Sequence, residues 1–312
     1  LPHDEMNRPP ALKPHDRAVI LSPAGRIDAE KVYAAAAVIK AWGLHPTIAP
    51  YALGSYGRYS GRVEERLSDL QQAMDDPAVR LILCSRGGYG VVQLLPHLDF
   101  TAIRSNPKWV VGYSDITGLH AALQLQDIAS LHAPMANHLA EESEGDRATA
   151  YLHDILFGKP LRYEIPVREY QPLNRAGRVT GRLFGGNLSV FSSLLGTKFA
   201  KIPRGGILFL EDVGEQPYKV DRMIHQLLLA GVFDRIGGMM VGHFTGYEED
   251  TEMNSPLLQS LYEVVKNQGF PLCFGFPVGH VRENYPLVMG SNATLTVTES
   301  ALRFSQVTTP QP

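Results

Sequence analysis

Between residues 17 and 133, two hydrophobic rhythms alternate along the chain. AVILS at 18–22, LILCS at 81–85 and KWVVGY at 108–113 are short apolar, β-branched runs bounded by turn residues. Runs of that length and composition predict buried strands. Between them, Val63, Leu67, Leu70 and Met74 recur near every 3.6 residues and stop at DDP, 75–77, which predicts a helix with a sharp end. EKVYAAAAVIKAW, ahead of Gly43, reads as an earlier helix with Asp28 at its cap position. VVQLLPHL and DITGLHAALQLQ read as two more. Repeated strand, turn and helix units predict a mostly parallel sheet with helices on both faces.

The pattern changes around 140–180. EESEGDR is a charged surface stretch, and LRYEIPVREYQPLNRAGRVTG alternates like exposed strands separated by turn residues. It reads as a connection between domains. Beyond it, Val220, Met223, Ile224, Leu227 and Leu228 form one helical face, while ILFL, GGMMVGHFTG and NATLTVTES read as strands. The expected architecture is therefore an α/β domain at 15–145, a linker at 146–178 and a smaller β-rich α+β domain at 179–308. No internal repeat or low-complexity segment interrupts it.

Composition narrows the partners rather than the fold. The 312 residues are 44% hydrophobic and 20% charged, with a formal net charge of −3 and a pI near 6.4. Such a chain has no basic field for nucleic acid and no cationic face for a membrane, so a small or polar partner is expected. No apolar run approaches the roughly 18–20 residues that span a bilayer. The polar start LPHDEMNRPPALKPHDR does not read as a secretion signal. Cys84 and Cys273 sit in separate apolar runs, the pattern of buried thiols in a reducing compartment.

Two strand ends carry unusual turns, SRGGYG and GYSD, and ligands in open α/β sheets gather at such ends. Gly87, Gly88 and Gly90 leave backbone N–H groups unobstructed, as an oxyanion or phosphate requires, although tight packing at a strand-to-helix turn uses glycine too. Ser114 of GYSD is either a helix N-cap or a nucleophile on a strand-to-helix elbow. A nucleophile needs a base and a carboxylate to orient it. Of eleven histidines, His120 and His225 lie within helical segments, and His132 and His243 follow apolar strands. His280, in FGFPVGHVREN, is presented on a loop after an apolar run ending in Pro and Gly. Glu211, Asp212 and Glu215 follow the strand ILFL as either solvated loop residues or site residues. No HExxH, paired-Cys motif, GxxxxGK[ST] or GxGxxG occurs, so neither a metal nor a cofactor is expected.

RGGYG, KWVVGYSDITGLHAAL, LHAPM, GRLFGGNLSVFSSLLGT, ILFLEDVGEQPYKVDRMIHQLLLAGVF and GFPVGH, with Asn284 downstream, together resemble the LD-carboxypeptidases, serine peptidases that include murein tetrapeptide carboxypeptidase. Six motifs in order, spanning about 17–305, carry the resemblance. It implies a flavodoxin-like N-terminal domain, a smaller β-rich C-terminal domain and a triad of Ser114, His280 and Glu211 assembled across the domain interface. Glu215 is the reserve carboxylate and Asp212 a structural one. The implied oxyanion hole is the Asp115 N–H with an amide from Gly87 or Gly88, and Asp115 is expected to cap its own helix. The substrate's free carboxylate needs a cation, for which Arg86 is the candidate; its alternative role is a surface ion pair. Asn187 reads first as a helix cap and second as a lining residue.

The implied reaction releases D-alanine from the murein stem tetrapeptide during peptidoglycan recycling in a bacterial cytoplasm. The sequence does not specify an oligomeric state; a homodimer is a candidate. Val281 and Val288 replace a Gly and a Pro of the family pattern, and HAPM replaces HGPM, so the loop carrying His280 is expected to differ in shape. The same family includes microcin C immunity peptidases, which stack an aromatic residue, often Trp, on adenine; this chain has Trp only at 42 and 109. A noncatalytic module binding a phosphate or sugar in the glycine-rich crevice is the other alternative.

Overall fold

The computed structural model describes residues 6–141, 145–166 and 172–306, which form two compact units. The first contains the described residues up to Lys159 together with Tyr285–Gly290; the second contains those between Pro160 and Asn284 and those from Ser291 onward.

Five parallel strands build the first unit: β1 (Arg17–Leu21), β2 (His45–Ile48), β3 (Val79–Cys84), β4 (Trp109–Gly112) and β5 (Ser130–His132). Their order, β2-β1-β3-β4-β5, is the flavodoxin-like one. β3, β4 and β5 are buried almost throughout, which explains why they read as apolar runs rather than alternations. Helices α1 (Ala29–Ala41), α2 (Val63–Asp75), α3 (Val91–Leu94), α4 (Thr101–Ser105) and α5 (Thr117–Leu125) fill the connections, followed by α6 (Ala136–Glu141) and α7 (Arg147–Leu156). Asp28 does stand at the start of α1, but its backbone carbonyl, not its carboxylate, accepts from Lys31 N–H at 3.1 Å. A sixth strand, Leu287–Met289, adds antiparallel to β5 with Leu287 opposite His132.

Because strand order reverses between β1 and β3, the loops that follow them leave in opposite directions and open a crevice at their carboxyl ends. Two buried hydroxyls join those ends: Ser22 Oγ lies 2.6 Å from Ser85 Oγ and donates to Ala52 O at 2.7 Å.

The second unit holds a seven-stranded sheet. It contains β6 (Leu161–Pro166), β7 (Gly177–Asn187), β8 (Ile207–Val213), β9 (Gly238–Thr245) and β10 (Leu272–Phe274). With Leu287–Met289 counted as β11, β12 (Asn292–Val297) and β13 (Ala301–Gln306) complete it in the order β10-β9-β8-β7-β12-β13-β6. β7 through β10 run parallel, with α8 (Leu188–Ser193), α9 (Pro217–Leu229) and α10 (Leu257–Val265) in the crossovers. β7, β12, β13 and β6 pair antiparallel. Phe184, Leu188, Leu210, Ile224, Leu261 and Phe274 belong to one buried cluster beneath the helices.

Residues 146–178 are not a plain linker. They include α7, which belongs to the first unit, then β6 and the first residues of β7. Asp146 caps α7 by accepting from Thr149 N–H at 2.8 Å. Leu161 and Tyr163 are buried where β6 pairs with β13. The alternation of LRYEIP was thus a true strand signal, but the partner strand lies far along the chain and local reading cannot supply it. Residues 142–144 and 167–171, within the stretches read as charged surface and connection, lie outside the described residues. Among the described residues no helix is long and apolar enough to cross a membrane.

Candidate active site

Ser114 stands between the end of β4 and the start of α5 with φ at 65°. That left-handed conformation costs a side-chain-bearing L-residue roughly 1–2 kcal/mol, and such strain concentrates where function requires it. The cap position of α5 is Ile116, so the serine does not occupy the N-cap. Below it, the buried His120 braces the strand end: its Nε2 lies 2.7 Å from Gly112 O and its Nδ1 2.6 Å from Ser130 Oγ. Burial pushes this imidazole down to about 4, the mark of a neutral core histidine.

The turn after β3 lies directly against the serine. A Cβ built on Gly87 would fall 2.9 Å from both Cβ and Oγ of Ser114 and 3.4 Å from Asp115 N. Only a glycine lets this backbone approach so closely. Gly87 O accepts from Gly25 N–H at 3.0 Å. Carbonyl and N–H point oppositely across a trans peptide, so the Gly88 N–H is directed away from Gly25. Gly88 and Gly90 have φ of 108° and 139°, values that L side chains rarely adopt.

Asp115 does not cap its own helix. α5 begins only at Thr117, after a 3₁₀ turn through Ser114–Ile116, which leaves the Asp115 side chain ahead of the cap position. Its Oδ2 accepts from Val91 N–H at 2.9 Å, and the Gly90 N–H bonds to the same carboxylate. Burial pushes this carboxyl up to about 6, against the opposing effects of those N–H groups and Arg66. Arg86 is exposed and donates from Nη1 to Arg26 O at 3.1 Å, a backbone contact rather than an ion pair.

In the second unit, Glu211 is the fifth residue of β8 and fully buried. Its Oε2 lies 2.9 Å from His280 Nδ1, and its Oε1 receives a longer 3.4 Å bond from Asn187 Nδ2. Donation from Nδ1–H fixes the tautomer and leaves Nε2 as the acceptor. Burial raises the Glu211 carboxyl, and the bond from His280 offsets part of that rise. The histidine's loop is set by Gly279, whose N–H donates to the buried Asn284 Oδ1 at 3.0 Å. At φ 130°, a Cβ on Gly279 would come within 2.9 Å of His243 O and 3.2 Å of Glu211 Cβ.

The neighbouring acids have other work. Asp212 accepts from Asn187 Nδ2, Ser189 N–H and Val213 N–H, each within 2.9 Å. Asn187, opposite Glu211 in the β7/β8 register, caps α8 by accepting from Val190 N–H at 3.2 Å. Glu215 lies beyond the end of β8, on the connection to α9, and is partly exposed.

Three contributors escaped the sequence reading: Gly25, Arg66 and the exact bond of Asn284. Arg66 lies three residues after Val63 and four before Leu70, at the edge of the apolar stripe of α2, where the hydrophobic pattern gives no reason to single it out. Its partners are the backbone carbonyls of residues 23, 61 and 90 and the Gln93 side chain, and such bonds leave no sequence signal. Among the described residues no cluster of His, Cys, Asp or Glu is arranged to hold a metal ion.

Comparison with known proteins identifies the family. The model of the LD-carboxypeptidase N-terminal domain matches residues 19–133, and that of the C-terminal domain residues 180–295. The murein tetrapeptide carboxypeptidase of Pseudomonas aeruginosa is 31% identical, over 89% of this chain and 92% of its own. The microcin C7 self-immunity protein of Escherichia coli is 25% identical, over 78% of this chain and 80% of its own. The crystal structure of muramoyltetrapeptide carboxypeptidase from Oxalobacter formigenes is 26% identical and covers 95% of this chain and 100% of its own, with a TM-score of 0.86. The chain belongs to the LD-carboxypeptidase family of serine peptidases and is a hydrolase of that class.

Proposed function

We propose that this enzyme hydrolyses the terminal L,D-peptide bond of the murein stem tetrapeptide and releases D-alanine. Ser114 is the nucleophile, His280 the base and Glu211 the residue that orients it. The observation that carries the reading is the 2.9 Å bond between His280 Nδ1 and the fully buried Glu211. A buried carboxylate committed to one imidazole nitrogen makes the other nitrogen a base in a fixed tautomer.

In the proposed cycle, His280 Nε2 takes the Ser114 proton as Oγ attacks the terminal peptide carbonyl. The developing oxyanion receives N–H groups from Asp115 and from the Gly87–Gly88 segment, supported by the N-terminal dipole of α5. The imidazolium, stabilised by Glu211, protonates the leaving amine, and D-alanine departs. Water, activated by the same imidazole, then attacks the acyl-serine and regenerates the hydroxyl. The strained φ of Ser114, and the packing at Gly87 that leaves no room for a Cβ beside Ser114, support the nucleophile and oxyanion assignments. Arg86 is the candidate for the substrate's free carboxylate, because it is exposed on the same turn. The reading extends to a cytoplasmic enzyme of peptidoglycan recycling, in keeping with two buried, reduced thiols at Cys84 and Cys273, and to a homodimer testable by light scattering.

Mass spectrometry of products from tri-, tetra- and pentapeptide stems, run beside an aminoacyl sulfamoyl adenylate, tests the substrate. D-Alanine release from the tetrapeptide is expected. A wide preference for the adenylate would replace this reading with the immunity-peptidase one.

A further inference from the structure

The glycine-rich turn is held by two buried, oppositely charged side chains that the triad chemistry does not use. Arg66 is 2% exposed and Asp115 5%. Arg66 donates from Nη1 to Gly90 O at 3.0 Å and to Pro23 O at 2.9 Å, from Nε to Gly61 O at 2.9 Å, and from Nη2 to Gln93 Oε1 at 2.6 Å. Its guanidinium also lies over the Tyr59 ring, 4.7 Å from the centroid. Asp115 Oδ2 accepts from Val91 N–H at 2.9 Å.

Gly90 C=O and Val91 N–H belong to a single peptide unit. Its oxygen edge meets the guanidinium and its N–H edge meets the carboxylate, so the peptide dipole lies aligned between a positive and a negative charge. Both bonds are charge-assisted, and burial strengthens them. Gly90 admits this grip because a Cβ there would fall 2.6 Å from Arg66 Nη1. At the other end of the turn, Gly25 N–H holds Gly87 O. The turn is therefore fixed at both ends, and one fixing group is the side chain of the residue directly after Ser114.

We infer that Arg66 and Asp115 are positioning residues that lock the glycine-rich turn in register with the Ser114 elbow, so that its amides and the Asp115 N–H converge on one oxyanion. The inference rests on the proposed serine mechanism and adds to it a role for two side chains outside the triad. Asp115 serves the site twice: its backbone N–H faces the oxyanion and its carboxylate holds the turn that supplies the second donor. The coupling explains why an acid should be buried at this position at all, since a hydrophobic residue of similar volume would leave the Gly90 and Val91 N–H groups unpaired.

The test measures kcat, KM and melting temperature on the tetrapeptide for wild type, Asp115→Asn, Asp115→Ala and Arg66→Lys, with Ser114→Ala as control. Asn keeps one acceptor for the turn and Ala none, so a graded loss in kcat is expected: about tenfold for Asp115→Asn and about 100-fold for Asp115→Ala. Lysine keeps the charge of Arg66 but cannot serve four acceptors at once, and at least about a tenfold loss in kcat is expected. KM should stay within about threefold in all three, because substrate binding does not use the oxyanion. A role confined to folding would lower the melting temperature and leave kcat of the folded fraction unchanged. Asp115→Asn is nearly isosteric and decides the matter even where Asp115→Ala does not fold. Unchanged kcat in Asp115→Asn or in Arg66→Lys, or a loss carried by KM, overturns the inference. Full activity in Ser114→Ala would instead overturn the serine mechanism beneath it.

Discussion

Replacing Glu211 with Gln probes the proposed triad at the bond between Glu211 and His280. Two donors converge on this carboxylate: His280 Nδ1 at 2.9 Å and Asn187 Nδ2 at 3.4 Å. A carboxylate accepts from both, whereas an amide has one acceptor oxygen. If the Gln oxygen faces Asn187, its NH₂ faces Nδ1 and drives the imidazole proton to Nε2, where the ring can no longer accept from Ser114. If the oxygen faces His280 instead, the tautomer survives but the imidazolium formed in the transition state loses its counter-charge. Two unit charges about 4 Å apart interact by about 4 kcal/mol at an effective dielectric of ~20. That corresponds to roughly a 10³-fold loss in kcat. Coupled-enzyme measurement of D-alanine release is expected to show this loss with KM within about threefold, since the group acts on the transition state. Glu215→Gln, beyond the end of β8, should stay within about threefold of wild type. Activity of Glu211→Gln within tenfold of wild type, or a larger defect in Glu215→Gln, would refute the assignment.

Three further outcomes follow from the first unit. Gly87→Ala puts a Cβ 2.9 Å from Ser114 Cβ and Oγ; steady-state kinetics should show kcat lowered about 100-fold by displacement of the nucleophile, and undiminished activity would contradict the packing. Ser114→Gly should be more stable than Ser114→Ala by about 1 kcal/mol in urea melts, because φ at 65° strains only the alanine; equal stability would mean that the elbow relaxes. Asp115, at about 6 in the fold against an ordinary 3.8, carries a folding penalty on its ionised form. That penalty is absent below pH ~4 and complete above pH ~7, up to about 3 kcal/mol. Asp115→Asn should therefore gain stability relative to wild type as pH rises from 4 to 8, while losing kcat; the opposite stability trend would contradict the burial argument.

The parts legible in the sequence were those whose determinants are local. The apolar runs of β1, β3 and β4 and the 3.6-residue spacing of α2 lie where their patterns predict them, because both faces or one stripe are buried by neighbouring elements. Asn187 as the cap of α8 was readable for the same reason. What escaped depends on partners remote in sequence. β6 was taken for part of a linker because β13, its partner, lies near the other end of the chain. Leu287–Met289, an edge strand of the first sheet that falls between β10 and β12 of the second in the chain, leaves no signal beyond a short apolar run. Arg66 was not singled out, because its bonds run to carbonyls at positions 23, 61 and 90, which the helical pattern does not encode. Asp115 was assigned to its own helix because sequence favours the nearest unpaired N–H groups, whereas the 3₁₀ turn at Ser114 delivers the carboxylate to the neighbouring turn.

The central claim is that Ser114 attacks the substrate, and the most direct measurement is kcat for D-alanine release by Ser114→Ala, with circular dichroism to establish the fold. Loss of the nucleophile is expected to lower kcat by at least about 10⁴-fold while the melting temperature stays within a few degrees. A folded Ser114→Ala protein that releases D-alanine within tenfold of the wild-type rate would contradict the account.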